Sequence, residues 1–156
     1  MRPLVPPPIV MLLGAALMWV LNRYLPLVRW IPAPWQRCSA VPYVLAVAVI
    51  APAMLRFRRA RTTINPMDPG AASQLVTGGI FRISRNPMYL GLALLLAGWG
   101  ITLGSLTVWL IPPLFVAYIT RAQIIPEERA LKARFTGEYR EYCRHVARWI
   151  GRRGAD

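Results

Sequence analysis

Residues 87–120 read PMYLGLALLLAGWGITLGSLTVWLIPPLFVAYIT. Two apolar runs, 87–103 and 106–120, are separated by Gly104-Ser105. Each has about 15 to 18 residues, at or slightly below what a helix needs to cross ~30 Å of hydrocarbon. A linker this short predicts an antiparallel helical hairpin. Helices satisfy their own backbone groups in lipid. The strand-length alternation of a membrane barrel is missing from the sequence.

Two more apolar runs lie upstream, at 4–21 and 38–55. With 56% hydrophobic residues in a 156-residue chain, clustered in such runs, the expectation is an all-α integral membrane protein with about four transmembrane helices. One membrane domain is expected. It divides into two N-terminal spans (1–61), a cytoplasmic loop (62–86), the hairpin of spans three and four (87–122), and a C-terminal amphipathic cytoplasmic helix and tail (123–156). The pair Pro112-Pro113 is expected to kink the fourth span near mid-membrane. A cleaved signal peptide does not fit, because further spans follow the first apolar run.

The formal charge of +13 would suggest nucleic acid in a soluble protein. Here the arginines flank apolar spans, so anionic lipid and topology explain them and no nucleic-acid partner is expected. Arg56, Arg58, Arg59, Arg61, Arg82 and Arg85 lie between spans two and three, and Arg121, Arg129, Lys132 and Arg134 follow span four. These clusters place that end, and the N-terminus, in the cytoplasm, as in a bacterial inner membrane. Cys38 and Cys143 are far apart and His145 is the sole histidine, so neither a disulfide framework nor a metal site is expected.

The polar run Arg82-Ile83-Ser84-Arg85-Asn86 enters span three at Pro87. Asn86 reads as an N-cap and Pro87 as the first helical residue. Free N–H groups and the positive dipole end would then invite a carboxylate or phosphate, with Arg82 and Arg85 adding charge-assisted bonds. Hairpin register sets Asn86 level with Gln123, and Arg82 level with Glu127 if the helical rise continues. Arg82, Arg85, Glu127 and Glu128 are therefore expected at one end of the hairpin. Adjacent acids cannot share a direction, so one at most points into a pocket.

Beyond Pro126, apolar residues recur at Leu131, Phe135, Tyr139, Tyr142, Val146 and Ile150 with a helical period. Arg129, Lys132, Arg140 and Arg148 fall largely off that stripe. By itself this is a basic amphipathic helix on anionic lipid.

The stretch from Leu75 through Gly91 resembles the isoprenylcysteine carboxyl methyltransferase and phospholipid methyltransferase family of membrane enzymes. The family pattern is Gly-x-Tyr/Phe-Arg, then Arg-His-Pro-x-Tyr-x-Gly. This chain has Gly79-Ile80-Phe81-Arg82, then Arg85-Asn86-Pro87-Met88-Tyr89-Leu90-Gly91. A second family block, Glu-Glu-x-x-Leu-x-x-x-Phe-Gly-x-Glu-Tyr, is matched by Glu127, Glu128, Leu131, Phe135, Glu138 and Tyr139 at the same spacing. Tyr142, Arg144 and Val146 continue it. Asn86 replaces the usual His, Thr136 the usual Gly and Ala147 a common Pro. Asn86 can donate a hydrogen bond but cannot titrate near neutrality.

The resemblance implies a methyltransferase using S-adenosylmethionine (SAM) at the cytoplasmic end of the hairpin, without a Rossmann domain or a metal. It implies that the motif residues Arg85, Asn86, Pro87, Tyr89 and Gly91 surround the cofactor, with Asn86, Tyr89 and the helix start at its carboxylate end. Glu127 or Glu128 would pair with its ammonium, and Tyr139 and Tyr142 would pack on adenosine. Glu138 and Arg144 are the implied catalytic pair near the reacting centre, Arg144 orienting an anionic acceptor. The acceptor would be lipophilic, foremost a carboxylate on a prenylated or isoprenoid-like molecule. Phospholipid N-methylation is the alternative within the class. A sterol-reductase-like use of NADPH and a non-catalytic lipid-binding scaffold are the readings outside it.

Overall fold

A computed structural model describes residues 5–59 and 75–151. Within them the chain is helical, with one isolated antiparallel bridge between Arg29 and Ser105. Three helical runs are long and apolar enough to cross a membrane: Pro7–Tyr24, Ala33–Arg59 and Thr107–Arg134. A fourth, Pro87–Leu103, is apolar but has 17 residues, the lower limit for a span. The protein is an integral membrane protein by these helices.

Helix α1 (Pro7–Tyr24) begins with prolines in its first turn, where a missing N–H costs nothing. A short helix α2 (Ala33–Gln36) and a 3-10 turn lead into α3 (Ala40–Arg59). Arg56, Arg58 and Arg59 end α3, where cations complement the helix dipole. Helix α4 (Pro87–Leu103) lies along α3 at very short range. A Cβ on Gly91 would stand 2.3 Å from the Ile50 side chain, and one on Gly98 would stand 2.6 Å from the Tyr43 ring. Small residues let the two backbones approach, the usual device where lipid offers no hydrophobic driving force between helices.

The turn after α4 is as tight as its linker demands. Gly104 has φ +71°, the left-handed conformation that ends many helices. Its carbonyl accepts from the N–H groups of Trp30 (3.1 Å) and Ile31 (3.3 Å), and the Leu106 N–H donates to Val28 at 2.9 Å. The Thr107 hydroxyl donates to the Leu25 carbonyl at 2.8 Å. The α1–α2 connection thus straps the hairpin turn. Inside, Met18, Leu96, Val108, Ile111, Phe115, Ile119 and Ile124 form the buried core between α1, α4 and the following helix.

That helix changes pitch along its length. It opens as a 3-10 turn (Thr107–Leu110), continues as α5 (Ile111–Ile119), widens to a π-turn (Thr120–Ile124) and resumes as α6 (Ile125–Arg134). Pro112 and Pro113 therefore sit in the first turn of α5 rather than at a mid-membrane kink. The irregularity lies instead at the far end. There, Pro126 cannot donate a backbone bond and its ring presses on the preceding turn, which a π-turn relieves.

The expected single C-terminal helix is broken. Phe135, at φ −115° and ψ 44°, ends α6, and α7 runs Thr136–His145. Val146 is extended (φ −123°, ψ 131°), so Val146 and Ile150 are not helical although the apolar period runs through them. Residues 146–151 form a strap bound by main-chain pairs. The Arg85 N–H donates to Ala147 (3.2 Å), the Ala147 N–H to Gly151 (2.9 Å), and the Gly151 N–H to Ile83 (2.9 Å). These bonds outweigh continued helix because they close the strap onto the entry to α4. Of the polar loop, residues 62–74 lie outside the described residues, as does Arg61.

Candidate active site

The site forms where the entry to α4, the π-turn and the C-terminal strap meet. The 3-10 turn Gly79–Arg82 docks on the end of α3, with the Phe57 and Phe81 rings edge to face at 5.3 Å. Ser84 is fully buried, and its hydroxyl accepts the Asn86 N–H at 3.1 Å, fixing the turn into Pro87. Pro87 is the first residue of α4, and Asn86 holds the N-cap position with φ −132°. The Asn86 side chain does not cap the helix. Its Nδ2 donates to the Arg148 carbonyl at 3.1 Å, because the docked strap offers a closer acceptor.

Arg85 points inward with a side chain 6% exposed and meets the Glu128 carboxylate, itself 7% exposed, at 3.1 Å. Arg148 approaches the same carboxylate as a fork. Its Nε lies 3.0 Å from Oε1 and its Nη2 2.7 Å from Oε2. Arg85 also donates to the Cys143 sulfur, while its Nε is buried with no partner among the described residues. Burying ions costs several kcal/mol each, on the order of what paired geometry and hydrogen bonds return. Here the return comes from two guanidinium groups on one carboxylate. The Glu128 hydrogen bonds hold Arg148 still more firmly in its charged form.

Tyr139 is 1% exposed and stands edge-on to Tyr142, ring centres 6.1 Å apart. Burial, then the charge of Glu128, pushes the Tyr139 phenol far above its usual range, against the opposing pull of Arg85. Burial does the same for Tyr142, against the opposing pull of Arg85. Both phenols stay neutral and serve as donors and packing surfaces, not as bases. Tyr142 donates to the Phe81 carbonyl at 2.6 Å. On the hairpin side, the Tyr89 hydroxyl donates to Glu127 at 2.5 Å. The two acids thus take opposite partners, Glu127 toward α4 and Glu128 toward the strap.

Next to this cluster opens a cleft of about 700 Å³. Arg82, Glu138, Glu141 and His145 supply its polar wall, and Leu75, Tyr142 and Val146 its apolar part. The helical rise does not continue from α4 back to Arg82, which ends a separate 3-10 turn and lines the cleft. Glu138 is exposed and lines the cleft. Arg144 lies outside it, 78% exposed and 3.3 Å from Glu141, so one side chain separates it from the cleft. Pro87 is buried in the first turn, and Gly91 faces α3 rather than the cluster.

Arg148 was not among the residues singled out by sequence. It lies off the apolar stripe, which by itself marks a surface residue. A helical wheel has no meaning past His145, where the helix ends. Nothing in the local sequence marks it, because its two partners, Glu128 and Asn86, are brought to it by the docking of the strap. Among the described residues no group of His, Cys, Asp and Glu is arranged to hold a metal ion.

The phospholipid methyltransferase family model matches residues 37–138. The chain belongs to this family. The match takes in α3, the hairpin and both acids Glu127 and Glu128, and ends before Tyr139 and the strap. Family membership makes the protein a membrane methyltransferase with a lipid-type substrate. An uncharacterized protein of Haemophilus influenzae is 41% identical over 63 residues, which is 40% of this chain and all of that protein. No solved structure matches the chain.

Proposed function

We propose that the protein transfers a methyl group from SAM to a lipophilic acceptor at the cytoplasmic face of a bacterial inner membrane. The observation that carries this reading is the family match over the hairpin, whose end holds the charged cluster and the adjoining cleft. The residues present suit SAM. A buried, unpartnered Arg85 Nε beside Asn86 suits a carboxylate, the acid pair suits an ammonium, and Tyr139 and Tyr142 offer flat apolar surface. When bound, SAM supplies an electrophilic methyl on its sulfonium and departs as a neutral thioether.

The chain's own part is to bind, orient and exclude water. Asn86, Arg85 and Tyr89 would hold the cofactor at the entry to α4, with Pro87 and Gly91 shaping that entry. Glu138, which lines the cleft wall, would take a proton from an acceptor. Arg144 would act through Glu141 or by swinging inward to orient an anionic group.

Two acceptors have support. Arg82 at the cleft favours a prenylated or isoprenoid-like carboxylate. Glu138 and Glu141 on the same wall, with the family's description, favour the amine of a phospholipid. The amine has the better support, because Arg85 and Arg148 are already committed to Glu128. Incubation with methyl-labelled SAM and a panel of amine, carboxylate and neutral lipids tests both. Label in the lipid fraction is expected. No incorporation, with no SAM binding at millimolar concentration by intact protein, would sink the reading.

A further inference from the structure

Arg148 touches two members of the proposed cofactor set at once. Its guanidinium forks onto both oxygens of Glu128, and its carbonyl accepts from Asn86 Nδ2. Arg85 adds a third N–H donor to the same carboxylate, whose side chain is 7% exposed. Little of Glu128 is left for a ligand. Glu127 differs. It receives the Tyr89 hydroxyl, and among the described residues no cation pairs with it. The strap that carries Arg148 is tied by the Arg85–Ala147 and Gly151–Ile83 main-chain bonds, so the arginine is delivered by backbone pairing rather than by a helix. Trp149 adds an anchor, its Nε1 donating to the Thr120 hydroxyl of the π-turn at 3.3 Å.

We propose that Arg148 is a positioning residue. It locks Glu128 into the strap and orients Asn86, and so leaves Glu127 as the acid that receives the cofactor ammonium. This rests on the SAM reading. A planar fork is required, since a lysine ammonium cannot span both oxygens while the main chain stays in place.

The test uses the full-length protein in detergent with four single variants, Arg148→Ala, Arg148→Lys, Glu127→Gln and Glu128→Gln, and the double variant Glu128→Gln with Arg148→Ala. Arg148→Ala should raise the KM and Kd for SAM about tenfold and lower kcat by less. Arg148→Lys should recover part of the loss. In the Glu128→Gln background the Arg148→Ala change should have little further effect, as expected of groups that act as a unit. Glu127→Gln should weaken SAM binding while hydrogen exchange of the Ala147 and Gly151 amides is unchanged, whereas Arg148→Ala should speed that exchange. Tighter SAM binding in Arg148→Ala would overturn the proposal, since Arg148 would then compete with the ligand for Glu128. If the wild type neither binds nor turns over SAM, the cofactor reading fails. Unchanged strap exchange in Arg148→Ala separately overturns the positioning role.

Discussion

Arg148 Nη2 lies 2.7 Å from Glu128 Oε2, joining the C-terminal strap to the first turn of α6 across a buried carboxylate. Glu128 also carries Arg85, so its removal leaves two cations facing each other with no counter-charge. Glu128→Ala should therefore cost about 3 kcal/mol of stability, the scale of breaking a buried pair from one side. Chemical denaturation in detergent would show it as a lowered midpoint. A midpoint within ~0.5 kcal/mol of wild type would mean the cluster is hydrated and loosely held.

Tyr89→Phe isolates the Glu127 contact. The ring keeps its place in the core while the hydroxyl that donates to Glu127 is lost. A stability loss of about 1–2 kcal/mol is expected for a part-buried acceptor left without its donor. On the proposed reading, SAM affinity falls together with it, and insertion of the spans is unaffected. Calorimetric titration of folded variant and wild type decides this. Equal affinities would remove Tyr89 and Glu127 from the cofactor site.

Two glycines should respond in opposite directions. Gly91→Ala puts a methyl 2.3 Å from Ile50 and 3.4 Å from the Ala46 carbonyl, with both backbones already in contact. Overpacking of about 1–3 kcal/mol is expected. A Cβ on Gly137, in the first turn of α7, would meet nothing within 4 Å. Gly137→Ala should raise stability by about 0.5–1 kcal/mol through helix propensity. Thermal unfolding of the pair would check both signs.

The hairpin was legible because its two apolar runs and Gly104 leave one topology, and the approach of arginines and acids followed from that topology. The finer geometry was not. Periodicity extends the helix through Val146 because a strap pinned to Arg85 and Ile83 buries that residue as well as a helix would, whereas Ile150, on the same period, is 64% exposed. Pro112 and Pro113 suggest a kink in the sequence because the sequence does not say where a helix changes pitch. The 3-10 start and the π-turn depend on tertiary contacts at Thr107 and Pro126. Arg148 was invisible for the same reason, its partner lying 20 residues away.

Asn86 remains the sharpest point of comparison with the family pattern, which has His at this position. Its work in the structure is a single donated bond from Nδ2 to the Arg148 carbonyl. An imidazole N–H can make that bond, and an aliphatic side chain cannot. Asn86→His should therefore keep SAM affinity within about threefold of wild type at a pH where the ring is neutral. Asn86→Leu should lose the bond, free the strap, and cost about 1 kcal/mol. Strap amide exchange would separate the two variants, rising in Asn86→Leu and staying near wild type in Asn86→His. A tenfold loss of affinity in Asn86→His with normal strap exchange would show instead that the amide oxygen of Asn86 contacts the cofactor, since that oxygen is the acceptor which a donating imidazole nitrogen does not replace.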